Sequence, residues 1–142
     1  MGLSREERIE RLRGVGLFGT VPDEGLTAIA DAATEIAFPA GRTIVRQGEV
    51  GTGFFLILTG AAKVVRDGAT IADLGPGDFF GELSLLDGGP RIAQVVAEGS
   101  TDCLAIASWD FEPILATKPG VALAILREVA RRLRAVSEDH RH

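Results

Sequence analysis

Apolar positions along this chain repeat with two periods, and the switch between them divides it into three stretches. Residues 4–33 and 108–138 follow helical spacing, and residues 35–107 alternate in short runs. Ser4 followed by Glu7 forms a capping box and predicts a charged helix through about Arg13. Gly14 and Gly16 end it. Leu17 and Phe18 are apolar in a short connection and are expected to plug into the core. Pro22 then opens a second helix, with Leu26, Ile29, Ala30 and Ala33 on one face.

From Glu35 the period shortens. Glu35–Phe38 and Thr43–Arg46 read as strands, separated by Pro39-Ala40-Gly41. Phe54–Leu58 is apolar throughout and predicts a strand buried on both sides. Ala62–Arg66 and Ala69–Leu74 flank Asp67-Gly68, a two-residue hairpin signal. Gly75-Pro76-Gly77-Asp78 turns the chain into Phe79-Phe80, and Ile92–Ala97 and Asp102–Ala107 complete at least seven short strands. That spacing implies a sandwich, a jelly roll or a barrel.

Ser108 starts a short helix over Trp109–Ala116, and Thr117-Lys118-Pro119 opens a longer one from Gly120 to about Glu138. Leu126, Val129, Leu133 and Val136 step by three, four and three, the spacing of a helix-pairing stripe. Arg127, Arg131 and Arg134 share another face, read as solvated.

Composition narrows the function classes. The chain has 142 residues, which suits one domain spanning 1–142. A net charge of -5 disfavours wrapping by nucleic acid or an anionic membrane. No apolar run approaches the length of a membrane span, and the charged N-terminus lacks the apolar core of a secretory signal. The single Cys103, in an apolar run, excludes an internal disulfide and fits a small core residue in the cytoplasm. No Ser-His-Asp set, P-loop or CxxC is present, so no catalytic residue is assigned and the chain is not expected to be an enzyme. The only histidines, His140 and His142, lie in the terminal tail and are read as solvated, so no metal site is expected.

The chemistry concentrates between Phe79 and Val96, FFGELSLLDGGPRIAQVV. Glu82 and Arg91 lie nine positions apart and read as a buried acid and a buried base joined by a tight loop. A guanidinium presents a planar fork to two oxygens of an anion, and Glu82 offers an acceptor to a hydroxyl. The turn after Gly81 aims free N–H groups at the same oxygens, and Gly81 allows close approach to the backbone. A plain Glu82–Arg91 ion pair stiffening the loop fits the same two residues. The residue types alone leave both readings open.

Three motifs resemble the cyclic-nucleotide-binding domain family. They are Gly48-Glu49 leading through Phe54–Leu58 to Gly60, Gly75-Pro76-Gly77-Asp78-Phe79-Phe80-Gly81-Glu82-Leu83, and Pro90-Arg91-Ile92-Ala93. The last two together look like that family's phosphate-binding cassette, here residues 79–96. The likeness covers roughly Leu17 to Ser137. It implies a mainly β fold with flanking α-helices: a jelly-roll β-barrel (double-stranded β-helix) over 35–107, N-terminal helices over 4–33 and C-terminal helices over 108–138. It implies that Arg91 pairs with a cyclic phosphate and Glu82 takes the ribose 2′-hydroxyl. Gly81, Leu83, Ser84 and Ala93 would bring backbone groups to the ligand, and Val64, Ile71 and Leu74 would line the ribose and base. Ser137 would reach the adenine amino group.

Three positions depart from the family pattern. Gln94 stands where Ser or Thr is frequent. Ile92 lacks the hydroxyl that cGMP-selective members present to guanine, which points to cAMP ahead of cGMP. Gly53 replaces a commonly polar residue and is expected to affect a turn and not the ligand. The resemblance thus implies a cytoplasmic cAMP sensor with no further cofactor, and the stripe on 120–138 suits a homodimer. Phosphate capture is expected to draw the cassette in and repack Leu83, Leu85 and Leu86 against the terminal helix. Relatives carry a DNA-reading helix-turn-helix after that helix, and no direct DNA binding is expected within these residues. A sensor domain cut from a longer regulator, or a degenerate scaffold that binds no nucleotide, are the alternatives. No downstream partner is legible.

Overall fold

The computed structural model describes residues 2–51 and 53–139. Its chain contacts gather into two compact units: Leu3–Asp31 with the chain from Glu112, and Ala32–Phe111.

The first unit is helical. Helix α1 (Arg5–Arg13) starts on the expected capping box: the Glu7 N–H donates to Ser4 Oγ at 3.1 Å, and the Ser4 N–H donates to Glu7 Oε1 at 3.0 Å. These bonds, the backbone one first, hold the Glu7 carboxyl below its ordinary range. A 3₁₀ turn at Gly16–Phe18 buries Leu17 and Phe18 completely, as their apolar character predicts. Helix α2 (Asp23–Ala32) buries Leu26, Ile29 and Ala30, and Ala33 is buried just past its end. A Cβ on Gly25 would run into the Val121 side chain, so α2 meets α5 (Pro119–Asp139) on bare backbone. Helix α5 buries Val121, Ala124 and Ile125 but leaves Leu126 64%, Leu133 66% and Val136 56% exposed. Arg131 lies on its solvated face, paired with Glu128 at 2.6 Å. Helix α4 (Ser108–Thr117) contributes residues to both units.

The second unit is built from eight strands. They are β1 (Thr34–Phe38), β2 (Thr43–Val45), β3 (Gly53–Thr59), β4 (Ala62–Arg66), β5 (Ala69–Leu74), β6 (Phe79–Phe80), β7 (Gln94–Ala97) and β8 (Thr101–Ala107). They form two four-stranded antiparallel sheets, β1-β8-β3-β6 and β2-β7-β4-β5. First pairs with last, second with seventh, third with sixth and fourth with fifth, which is the jelly-roll topology. The sheets stay open at their edges. Ile57, Phe80 and Cys103 from one sheet pack with Ala62 and Val95 from the other, and Leu74 lies against this cluster. β3 is buried along most of its length, as its continuous apolar run predicts. Burial raises the Cys103 thiol to about 11, which fits the small-core-residue reading.

Three local features shape the wall formed by β4, β5 and β7. Asp67 and Gly68 both take positive φ, 52° and 82°, as the expected tight hairpin requires. Val64 opposes Ala72 while Val65 opposes Thr70, so Ile71 is an extra residue, a bulge in β5. β7 begins at Gln94, two residues later than expected, because Ile92 stands 63% exposed in a bend before the ladder.

Candidate ligand-binding site

The cassette is a six-residue helix between two left-handed glycines. Helix α3 (Glu82–Asp87) starts after Gly81 (φ 89°) and ends at Gly88 (φ 68°). Both angles disfavour any side chain. The Gly89 N–H donates to Asp87 Oδ1 at 2.7 Å, and the Ser84 hydroxyl donates to the Gly89 carbonyl at 3.2 Å. The loop therefore closes on its own helix and returns the chain at Pro90.

A second segment holds Arg91 from outside. The Arg91 N–H donates to the Glu49 carbonyl at 2.8 Å, the Gly48 N–H to the Arg91 carbonyl at 2.9 Å, and the Gly51 N–H to the Gly89 carbonyl at 3.2 Å. The guanidinium then turns inward, and Arg91 as a whole is 9% exposed. Its Nη2 donates to the Gly53 carbonyl at 2.8 Å, while the buried Nη1 has no hydrogen-bond partner. Two glycines make room for it. A Cβ on Gly81 would meet Nη1 and the Gly53 oxygen, and one on Gly51 would meet Nε and the Ser84 side chain. Burial pushes the guanidinium below its ordinary value, and the charge of Glu82 pushes it part of the way back.

The plain ion pair is not formed: no contact within 4.0 Å joins Glu82 to Arg91 among the described residues. Glu82 is only half-buried, which corrects the expectation of a buried acid; it is the first residue of α3 and lines the cavity. Gly53 is corrected as well. It begins β3, and its carbonyl orients the guanidinium.

Arg91 and Glu82 face a cavity of about 200 Å³ that opens to solvent. Gly81, Ser84, Ile92 and Ala93 line it from the cassette, and Val64 and Ile71 from the β4–β5 hairpin. The bulge explains how Ile71, 57% exposed, comes to stand at its mouth. Leu83 lies in α3. Leu74 packs on the core cluster and is not part of the lining, and Ser137 is exposed on α5 in the other unit. Sequence reasoning missed Val45, Arg66, Phe79, Phe80, Pro90 and Val95. The alternation of β4 places Arg66 on the side of Val64, a signal that was available. A second hollow of about 320 Å³, lined by Ile36, Phe55, Ile106 and Trp109, also reaches Arg91 but carries neither Glu82 nor α3.

The cavity thus joins a buried unsaturated cation and a carboxylate to an apolar wall, a chemistry suited to a small anion with a flat or aliphatic portion. Among the described residues no group of three or more His, Cys, Asp or Glu gathers to hold a metal, and no helix is long and apolar enough to cross a membrane. His140 and His142 lie outside the described residues.

Comparison with known proteins gives consistent relatives. A profile described as "Cyclic nucleotide-binding domain" matches residues 35–118. The chain is 33% identical over 140 residues to a CRP-like cAMP-activated global transcriptional regulator of Mycobacterium tuberculosis, covering 92% of this chain and 60% of that protein. It is 36% identical over 129 residues to the cyclic AMP receptor protein of Thermus thermophilus, covering 87% and 59%. It therefore spans about 60% of the length of these relatives. Among solved structures, the N-terminal domain of a transcriptional regulator from Streptomyces coelicolor superposes with a TM-score of 0.83 at 35% identity, covering 91% of this chain and 93% of that one.

Proposed function

This chain belongs to the cyclic nucleotide-binding domain family, and on that premise we propose that it binds cAMP ahead of cGMP and works as a regulatory sensor module without catalysis, in the cytoplasm. One observation carries the reading: the buried Arg91 guanidinium has a single carbonyl acceptor and an Nη1 left unpaired. A buried donor without an acceptor costs about 1–3 kcal/mol, and more on a charged group. A cyclic phosphate supplies both the acceptor and the opposite charge. Burial lowers the guanidinium's pKa, and an anion bound beside it would oppose that shift.

In this reading Glu82 accepts from the ribose 2′-hydroxyl, and Val64, Ile71 and Ile92 offer apolar area to the base. Ser84 contributes its backbone, since its hydroxyl is engaged by Gly89. Leu74 and Ser137 keep only the roles that the family resemblance implies. Ile92 brings no hydrogen bond to guanine, which supports cAMP. Titration calorimetry of the chain with cAMP, cGMP and linear AMP is expected to show saturable binding in the order cAMP, cGMP, AMP. No heat with cAMP at millimolar concentration would remove the sensor reading and leave a scaffold.

We also propose that the exposed stripe Leu126, Val129, Leu133 and Val136 pairs with a second copy. Four large apolar side chains at helix-pairing spacing, from 38% to 66% exposed, support it. Sedimentation of the wild type is expected to give a dimer, and Leu126→Glu with Leu133→Glu a monomer. A wild-type monomer with and without cAMP would exclude the pairing.

A further inference from the structure

Arg66 is a cation of the cavity that no expectation covered. It ends β4, two residues after Val64, and both side chains line the same cavity. The other polar side chains there are Glu82, Ser84 and Arg91. In the proposed complex Arg91 and Glu82 are taken by phosphate and sugar, and the Ser84 hydroxyl is held by Gly89. Arg66 is therefore the remaining polar residue on the β4–β5 wall, where the proposed complex places the base. It is exposed, and among the described residues no acceptor meets its guanidinium. Its neighbour Asp67 is engaged elsewhere: Gln47 Nε2 donates to Asp67 Oδ1 at 2.8 Å, and the Asp67 N–H donates to Gln47 Oε1 at 3.0 Å. This clamp, with the tight turn at Asp67-Gly68, fixes the backbone from which Arg66 projects.

We propose that Arg66 reads the base of the bound nucleotide and sets the margin between cAMP and cGMP; the inference rests on the cyclic-nucleotide reading. A guanidinium carries donors only and seeks acceptors. Guanine presents O6 and N7 as adjacent acceptors that match its fork. Adenine presents N7 beside an amino donor and accepts only one such bond. Arg66 thus favours guanine, in opposition to Ile92, and keeps cGMP within reach of a site otherwise shaped for cAMP.

The test is calorimetry with both nucleotides on wild type, Arg66→Ala, Arg66→Lys and Arg91→Ala, with an unfolding midpoint for each. Arg66→Ala is expected to weaken cGMP roughly tenfold and cAMP roughly threefold or less. Arg66→Lys keeps the charge but lacks the fork, so the cGMP loss persists. Unchanged affinities in Arg66→Ala, with wild-type binding that Arg91→Ala abolishes, overturn the role of Arg66 alone. Equal losses for both nucleotides, restored by Lys, also overturn it and leave a steering charge. A wild type that binds neither nucleotide, or an Arg91→Ala that binds like wild type, overturns the underlying reading and this inference with it.

Discussion

Arg91→Ala is expected to weaken cAMP binding by at least roughly a hundredfold while leaving the ligand-free protein about as stable as the wild type. The affinity loss follows from two charge-assisted hydrogen bonds, each worth about 1.5–3 kcal/mol, or about 3 kcal/mol and more together. The stability result follows from two opposed effects. The substitution loses the Nη2 bond to the Gly53 carbonyl, worth about 1.5–3 kcal/mol because its donor is charged. It also removes a buried charge whose Nη1 is unsatisfied, and the desolvation of that charge opposes the first effect. Calorimetry and thermal unfolding separate the two. At cAMP a hundredfold above the wild-type Kd, the wild type should gain about 2.7 kcal/mol, several degrees in Tm, and Arg91→Ala at most about 0.4 kcal/mol. A variant that unfolds much more easily without ligand, yet still binds cAMP, would make Arg91 a structural residue.

Gly81→Ala is expected to cost both stability and binding. Gly81 has φ 89°, where an L side chain costs roughly 1–2 kcal/mol. Its Cβ would also meet Arg91 Nη1 and the Gly53 carbonyl oxygen. A rotating side chain can evade the first of these clashes. The second is with backbone of β3, and such overpacking typically costs about 1–3 kcal/mol. The expected loss is therefore roughly 2–5 kcal/mol in a denaturant melt. Gly77→Ala is the control: it has φ 91° but open space around its Cβ, so only the backbone cost applies and cAMP affinity stays at the wild-type value. Gly81→Ala binding cAMP like wild type would show that the close approach of Gly81 to Arg91 has no part in recognition.

Much of the cassette was legible because its signals are local. Gly81 and Gly88 bracket α3 through their own dihedral angles, and Asp87-Gly88-Gly89-Pro90 reverses the chain through its own turn chemistry. Asp67-Gly68 announced the β4–β5 hairpin in the same way. The misjudged positions share a different property. Gly53 lies 38 residues from the guanidinium it orients. Gly51, to which no role was given from the sequence, has Arg91 and Ser84 filling the space beside it. Glu82 was expected to be buried, yet as the first residue of α3 it lines a cavity that opens to solvent. Leu74 and Ile71 lie three residues apart on one strand; the bulge sends Ile71 to the cavity, while Leu74 stays on the core.

The order of elements, the two helical stretches around an alternating middle and the turns between strands follow from residues a few positions apart. Sterics and local hydrogen bonds act at that range, so the amino-acid sequence settles them. The jelly-roll pairing, the clamp of Arg91 between Gly48, Glu49 and Gly53 on one side and the cassette on the other, and the arrival of Arg66 at the cavity wall depend on segments far apart in the chain. Those are decided when two sheets close on a shared core. Burial then removes water from a guanidinium and leaves it one carbonyl and a free donor, a state that no single stretch of sequence contains.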